Sequence, residues 1–493
     1  MKLLRAKLGL AIVILVVVGI SFKVTAQELT KEFQFERCQI QHKAVEMDAE
    51  CATLSRPENP NKPNGKVINL FVVKLPSSSA EPESDAFTII QGGPGGSSID
   101  MAISHRHVLN IIRAKRDVLI VDQRGTGRSN ILQCDEAEDQ ILSSAFDRAL
   151  TLDLTKKCAA KLNQNDLRYY TTSIAVQDLE AVRIAANYPQ LTVYGVSYGT
   201  RVAQHYLRRY PSSTRALVID GVADIGLNLA GSEISLRSQD AFDSMVKRCK
   251  QTPSCIKQFG DIAIKFKELR QRLISSPVKL KLAHPLSGKK ISHTVRESDL
   301  LTAVRMMPYS TEVLSLLPML ISQAHSGDYT LLAAQSINIQ DSFSNDFASG
   351  MHNSIVCTED APFVNKNAAD ETLNTYFGRD MIDGLSTICE AWPQGFIDDD
   401  FHESFDSEKP VLILSGETDP ITPPINGERA AKMFSNSKHI VVPSHGHGVF
   451  ARGCVPFLIR DFISNTNLNK LKSDCITRER VMPFFIDTAG PTP

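Results

Sequence analysis

Short apolar runs rich in β-branched residues recur along the chain, separated by longer stretches of helical or loop character. Val67–Val73, Phe87–Ile90, Val118–Val121, Leu191–Val196, Ala216–Ile219, Val411–Leu414 and His439–Val442 read as strands. Strands alternating with helices imply a largely parallel sheet covered on both faces. Before the fourth strand, Ile174, Leu179 and Val182 recur at near-helical spacing and predict a helix over Ser173–Asn187, with Ser173 as its N-cap.

The strand pattern stops at about Leu227. From there to Phe396 the chain reads as helices and loops. Ala241–Lys250, Ile262–Ile274, Ser298–Met306, Thr311–Ala324 and Asp328–Gln340 are the helix candidates, and Pro318 is expected to kink one of them. Strand spacing resumes at Lys409-Pro410-Val411. A helical block between two strands of one sheet predicts a cap over the strand C-termini, where open α/β sheets bind ligands. The expected organisation is a core over 27–226 and 397–493, with a cap over 227–396.

The first 26 residues carry a different pattern. Lys2, Arg5 and Lys7 precede the apolar run Leu8–Ile20, and Val24-Thr25-Ala26 offers a small-residue cleavage site. This predicts a signal peptide over 1–26, with Gln27 as the mature N-terminus. The apolar core is shorter than the ~20 residues of a typical span, so no stable membrane association is expected after cleavage. The expected destination is the periplasm or the medium. All 10 cysteines follow this segment. An even number in an exported chain predicts disulfides. Neighbour pairing is the hypothesis: Cys38–Cys51, Cys134–Cys158, Cys249–Cys255, Cys357–Cys389 and Cys454–Cys475. The spacings fit no zinc pattern, so no metal is expected. Lys and Arg total 54 against 55 Asp and Glu, which leaves no basic excess to hold nucleic acid.

The candidate chemistry centres on Gly195-Val196-Ser197-Tyr198-Gly199, which follows one strand and opens a helix-like stretch, Thr200 to Tyr210. G-x-S-x-G between strand and helix is the setting of a nucleophile elbow, whose tight turn needs small neighbours. A serine hydroxyl needs a base, and the base needs an orienting acid. In this architecture they follow in the order Ser, acid, His. Asp419 follows the strand Val411–Leu414, and His447 lies between two glycines after the last strand. Asp220, at another strand end, is the rival acid; Glu417 lies close to Asp419 but before the turn. His445 is the rival base. The oxyanion donors are expected to be the backbone N–H of Tyr198 and that of Gly93 in Gln91-Gly92-Gly93-Pro94-Gly95-Gly96, with Gly95 behind it. The loop lacks the G-K-[ST] run and the GxGxxG spacing of phosphate cradles, so no nucleotide cofactor is expected. Asp122-Gln123-Arg124-Gly125-Thr126-Gly127-Arg128-Ser129 reads as a structural turn in which an Asp–Arg pair buttresses the oxyanion loop.

In this order, G-G-P-G-G, D-Q-R-G-x-G-x-S, G-x-S-Y-G-T, G-x-x-D-P-I-T-P and G-H-G resemble the α/β-hydrolase aminopeptidases. These are the proline iminopeptidase relatives and, more closely, the secreted tripeptidyl aminopeptidases with a characteristic C-terminal part. The resemblance runs from about Phe33 to Ile476. It implies an α/β-hydrolase fold and release of residues or short peptides from free N-termini. It carries the family's triad onto Ser197, Asp419 and His447. Gln91 departs from the pattern, since many relatives have His before the glycines. An aminopeptidase also needs a fixed negative charge for the substrate ammonium. Glu359 and Asp360 in Cys357-Thr358-Glu359-Asp360 are the candidates, and relatives of the secreted type carry a similar C-x-E-D run. Glu233 and Asp240 are the rivals. An esterase or lipase with the same triad is the alternative enzyme, and a hydrolase-like binding protein is the alternative without catalysis.

Overall fold

The computed structural model describes residues 33–134, 147–365 and 367–491; the expected signal peptide lies outside them. Nine strands form one sheet in the order β1-β2-β3-β5-β4-β6-β7-β10-β11. They are β1 (Glu36–His42), β2 (Val45–Pro57), β3 (Val67–Leu75), β4 (Ala86–Ile90), β5 (Asp117–Val121), β6 (Leu191–Val196), β7 (Thr214–Asp220), β10 (Val411–Gly416) and β11 (Ser437–Val442). From β5 to β11 every neighbouring pair is parallel, and β1, β2 and β3 extend the sheet as an antiparallel meander. All seven predicted strands are present. The two that were missed, β1 and β2, lie at the sheet edge with one face exposed, so their apolar positions are interrupted by polar ones.

The central strands are buried on both faces, and alternate side chains enter separate cores. Val193, Leu217 and Ile413 pack with Val176 and Leu179 of the helix Thr172–Ala185 and with Val202 and Tyr206 of the helix Tyr198–Arg209. Tyr194, Val218 and Leu412 point the other way, against Leu458, Ile459 and Phe462 of the helix Val455–Asn465. Each such aliphatic or Phe side chain contributes about 1.5–3 kcal/mol by leaving water. The helix Thr172–Ala185 begins one residue earlier than expected, with Thr171 at the N-cap position. Ser173 is inside it, and its Oγ accepts a hydrogen bond from Asp398 N at 3.0 Å.

Between β7 and β10 a third apolar cluster forms, with Leu269, Leu300 and Leu320 fully buried in it. The helices Ser232–Gln251, Ile262–Ser275, Glu297–Met306 and Leu317–Ser326 supply most of it. Two expectations for this block are corrected. It contains a hairpin, β8 (Val278–Ala283) with β9 (Lys290–Val295), where helix or loop was expected. The alternation in Val-Lys-Leu-Lys-Leu-Ala has the period of a strand. The predicted Thr311–Ala324 helix is two, Thr311–Leu314 and Leu317–Ser326. Pro318 lies in the first turn of the second, where its missing N–H leaves no helical bond unmade.

All ten cysteines are paired, in the five neighbour combinations expected. Five disulfides belong to a chain that folds in an oxidising, extracytoplasmic compartment. Among the described residues no helix is long and apolar enough to cross a membrane.

Candidate active site

β6 ends in a turn so tight that two of its residues must lack side chains. A Cβ on Gly195 would stand 2.2 Å from Gly199 O, and one on Gly199 would stand 2.2 Å from Ile90 O. Ser197 sits at the apex with φ 56° and ψ −128°, a region that L-residues occupy only under strain. Its N–H donates to Asp220 O at 3.0 Å, which ties the elbow to the end of β7. The helix Tyr198–Arg209 starts at the next residue.

The loop after β11 carries His447. Its N–H donates to Tyr309 O at 3.0 Å, and the Tyr309 ring meets the imidazole edge-on at 5.0 Å. His447 Nδ1 lies 2.7 Å from Asp419 Oδ2. Asp419 also accepts from Ile421 N (2.9 Å), Thr422 N (2.8 Å) and Thr422 Oγ1 (2.9 Å), so the turn after β10 fixes the carboxylate. Thr422 Oγ1 is itself 3.1 Å from His447 Nδ1. It was not singled out from the sequence, although it stands three residues beyond the acid in the Asp-Pro-Ile-Thr run. Burial pulls the His447 pKa down, but Asp419 and then Asp220 outweigh it, and the net direction is upward from 6.5. Burial likewise opposes the Asp419 charge, and His447 and the turn N–H groups reverse that, so its pKa is lowered.

The rivals are occupied elsewhere. Asp220 accepts from Val449 N at 3.0 and 2.8 Å and from Tyr194 Oη at 2.9 Å, which holds the His447 loop against β7. Burial pushes its pKa up to about 6. His445 faces Glu479 at 3.0 Å. Glu417 accepts from Ser444 N at 2.8 Å.

Gly92 packs directly on the nucleophile, since a Cβ there would stand 2.6 Å from Ser197 Cβ. The Gly92 N–H is taken by Gln91 Oε1 at 2.9 Å. The N–H groups of Gly93 and Tyr198 have no hydrogen-bond partner among the described residues; for Tyr198 this follows from its place in a first helical turn. The loop is held from behind by Asp122, which accepts from Ser97 Oγ (2.8 Å), Ile99 N (3.1 Å) and Arg128 N (3.0 Å). The expected Asp–Arg side-chain pair within that run does not form. Arg124 instead pairs with Asp178 at 2.6 and 2.9 Å, and the Arg128 guanidinium lies over the Phe71 ring.

Ser197 and His447 open into one cavity of about 1240 Å³, floored by the oxyanion loop and walled by cap residues including Arg305, Tyr309 and Asp380. The structure does not bring Glu359 and Asp360 to it. Both are fully buried in a single π-helical turn, Val356–Asp360. Arg201 takes both Asp360 oxygens at 3.0 and 2.9 Å and reaches Glu359 at 3.4 Å. Glu359 further accepts from Thr172 N (2.6 Å) and Thr172 Oγ1 (2.9 Å), and Thr172 Oγ1 lies 2.6 Å from Tyr198 Oη. These carboxylates are spent on locking the elbow helix, a role that a charge pattern in one segment cannot reveal. Burial pushes Glu359 up to about 7. Glu233 pairs with Arg429 at 2.9 Å and Asp240 with Arg237 at 3.0 Å, and neither lines the cavity.

Sheet order, elbow and the Asp–His loop pair define an α/β hydrolase. The chain matches the α/β hydrolase fold family over residues 85–257 and the family described as TAP-like protein over residues 374–475. The chain is thus an α/β hydrolase by fold, with a TAP-like C-terminal part. The serine protease Hip1 of Mycobacterium tuberculosis is 25% identical over 485 residues, covering 90% of this chain and 92% of that one. The tripeptidyl aminopeptidase of Streptomyces lividans is 23% identical over 426 residues, covering 81% and 78%. The YuaR protein of Escherichia coli is 27% identical over 413 residues, covering 79% of each chain.

Proposed function

We propose that this protein is an exported serine exopeptidase, periplasmic or secreted, that releases residues or short peptides from free N-termini. The observation that carries the reading is the placement of Ser197 at the base of a cavity walled by the cap, which suits the end of a chain better than a loop within a folded protein. The two relatives named as a protease and a tripeptidyl aminopeptidase, each aligned over most of the chain, support it.

In this mechanism His447 Nε2 takes the Ser197 hydroxyl proton as Oγ attacks the scissile carbonyl carbon. Asp419 holds Nδ1–H and stabilises the imidazolium. The carbonyl oxygen becomes an oxyanion between the N–H groups of Tyr198 and Gly93, each such donor being worth about 3 kcal/mol. The C–N bond then breaks, and the leaving amine takes the proton from His447. Water repeats the sequence on the acyl-enzyme and frees Ser197. With Glu359 and Asp360 buried, the acidic residue on the cavity wall is Asp380, at the start of the helix Asp380–Ala391, and it is the anchor assigned to the substrate ammonium. The same groups would open an ester. Comparing kcat/KM on free peptide amides, N-blocked peptide amides and short esters decides: the reading requires the free amides to lead, and esters alone being hydrolysed would reject it.

A further inference from the structure

Two guanidinium groups line the cavity, and their surroundings differ. Arg452 is ion-paired with Glu312. Arg305, in the last turn of the helix Glu297–Met306, forms no ion pair with any described carboxylate. Its Nε is buried without a hydrogen-bond partner, and its Cζ lies 5.9 Å from the centre of the Phe377 ring. The rest of the fork is open to the cavity with no anion beside it, and a planar guanidinium fork matches a carboxylate.

Its position is equally specific. Tyr309, which holds the His447 loop, is raised in pKa by burial while the Arg305 charge pulls the other way. His352, whose Nδ1 is 3.3 Å from Pro94 O, is lowered by burial with Arg305 adding to the effect. Arg305 therefore acts on both borders of the site, the base loop and the oxyanion loop. Among the described residues no ion pair joins it to the cavity acid Asp380, which stands on a different helix, Asp380–Ala391.

We propose that Arg305 is a specificity-determining residue that binds a carboxylate of the substrate. Two sources carry that group: the free C-terminus of a short peptide, and an Asp or Glu side chain beside the scissile bond. The peptide identity of the substrate rests on the reading above; the carboxylate subsite belongs to the same cavity whichever acyl compound is cut.

The test uses three matched substrate pairs on the full-length mature enzyme, normalised by fluorophosphonate titration of active sites. One pair differs only in a C-terminal acid or amide, one in Glu or Gln beside the scissile bond, and one sets 4-nitrophenyl hemisuccinate against 4-nitrophenyl butyrate. The acid member should lead by about tenfold or more in at least one pair, and which pair leads identifies the source. Arg305→Gln should erase that lead and Arg305→Glu should invert it. Equal kcat/KM within every pair for the wild type overturns the proposal, as does a lead that survives Arg305→Gln in labelled enzyme. If the Gln variant does not label, a lead lost in labelled Arg305→Met supports the proposal and one retained there overturns it. Should both variants fail to label, the wild-type pairs decide. Peptides left uncut while Arg305-dependent preference holds on the esters would reject the exopeptidase reading and keep the subsite. Free peptides cut without any acid preference would do the reverse.

Discussion

His447 Nδ1 lies 2.7 Å from Asp419 Oδ2, and this contact leaves Nε2 as the imidazole nitrogen able to take a proton in the cavity. The base works only when neutral. Because Asp419 raises the His447 pKa above 6.5, kcat/KM should rise with pH along a limb centred above that value. Asp419→Asn should move the limb to lower pH and cut kcat by about 10⁴-fold. A pH–rate profile of both enzymes checks this; an unmoved limb would detach Asp419 from the base. Asp220→Asn should instead act through the loop that its two oxygens hold at Val449 N, lowering stability as well as rate.

Ser197→Ala should abolish fluorophosphonate labelling and turnover with the fold retained, since alanine occupies the same turn without new contacts. Gly199→Ala is predicted to behave differently. Its Cβ would stand 2.2 Å from a backbone carbonyl, so β4 and the elbow must separate, at a cost of about 1–3 kcal/mol. Chemical denaturation distinguishes the two variants.

Glu359→Gln should reduce hydrolysis of peptides and of small esters alike, because Glu359 reaches the site through Thr172 and Tyr198 and touches no substrate. Arg201→Met strands two buried carboxylates and should destabilise the protein by about 3–5 kcal/mol in denaturant titrations. Asp380→Asn, by contrast, should fall more heavily on free-amine peptides than on esters. Selective loss in Glu359→Gln would return the amine site to the Cys-Thr-Glu-Asp run.

The legible parts of this fold were those written in a local pattern. The inner strands β4, β5, β6, β7 and β10 are buried almost throughout because both faces are covered, so they read as short apolar runs, and the elbow is marked by the two glycines its geometry demands. The loops bearing Asp419 and His447 each follow a strand directly. β1 and β2 escaped because strands with one wet face have few apolar positions, and Cys38–Cys51 holds this pair covalently. Arg201 and Arg305 escaped for another reason. Each draws its meaning from residues tens to hundreds of positions away, and nothing beside Glu359 in the sequence says that an arginine of the elbow helix will neutralise it. The same non-locality separates Arg124, paired with Asp178, from the Asp122 beside it.

Removing the disulfide Cys357–Cys389 with a double serine substitution should cost about 2–5 kcal/mol. It joins the π-helical turn beneath the elbow helix to the helix that begins with Asp380. Activity on free-amine peptides should therefore fall further than activity on esters. Thermal and denaturant melts with parallel assays check both, and equal falls would separate the disulfide from the amine anchor.

The most direct measurement of the central claim is mass spectrometry of the products from one oligopeptide presented with a free and with an acetylated N-terminus. A short N-terminal fragment and the intact remainder are expected from the free peptide, and no fragment from the acetylated one or from either peptide with Ser197→Ala. Equal cleavage of both peptides, or cuts at internal bonds alone, would contradict it.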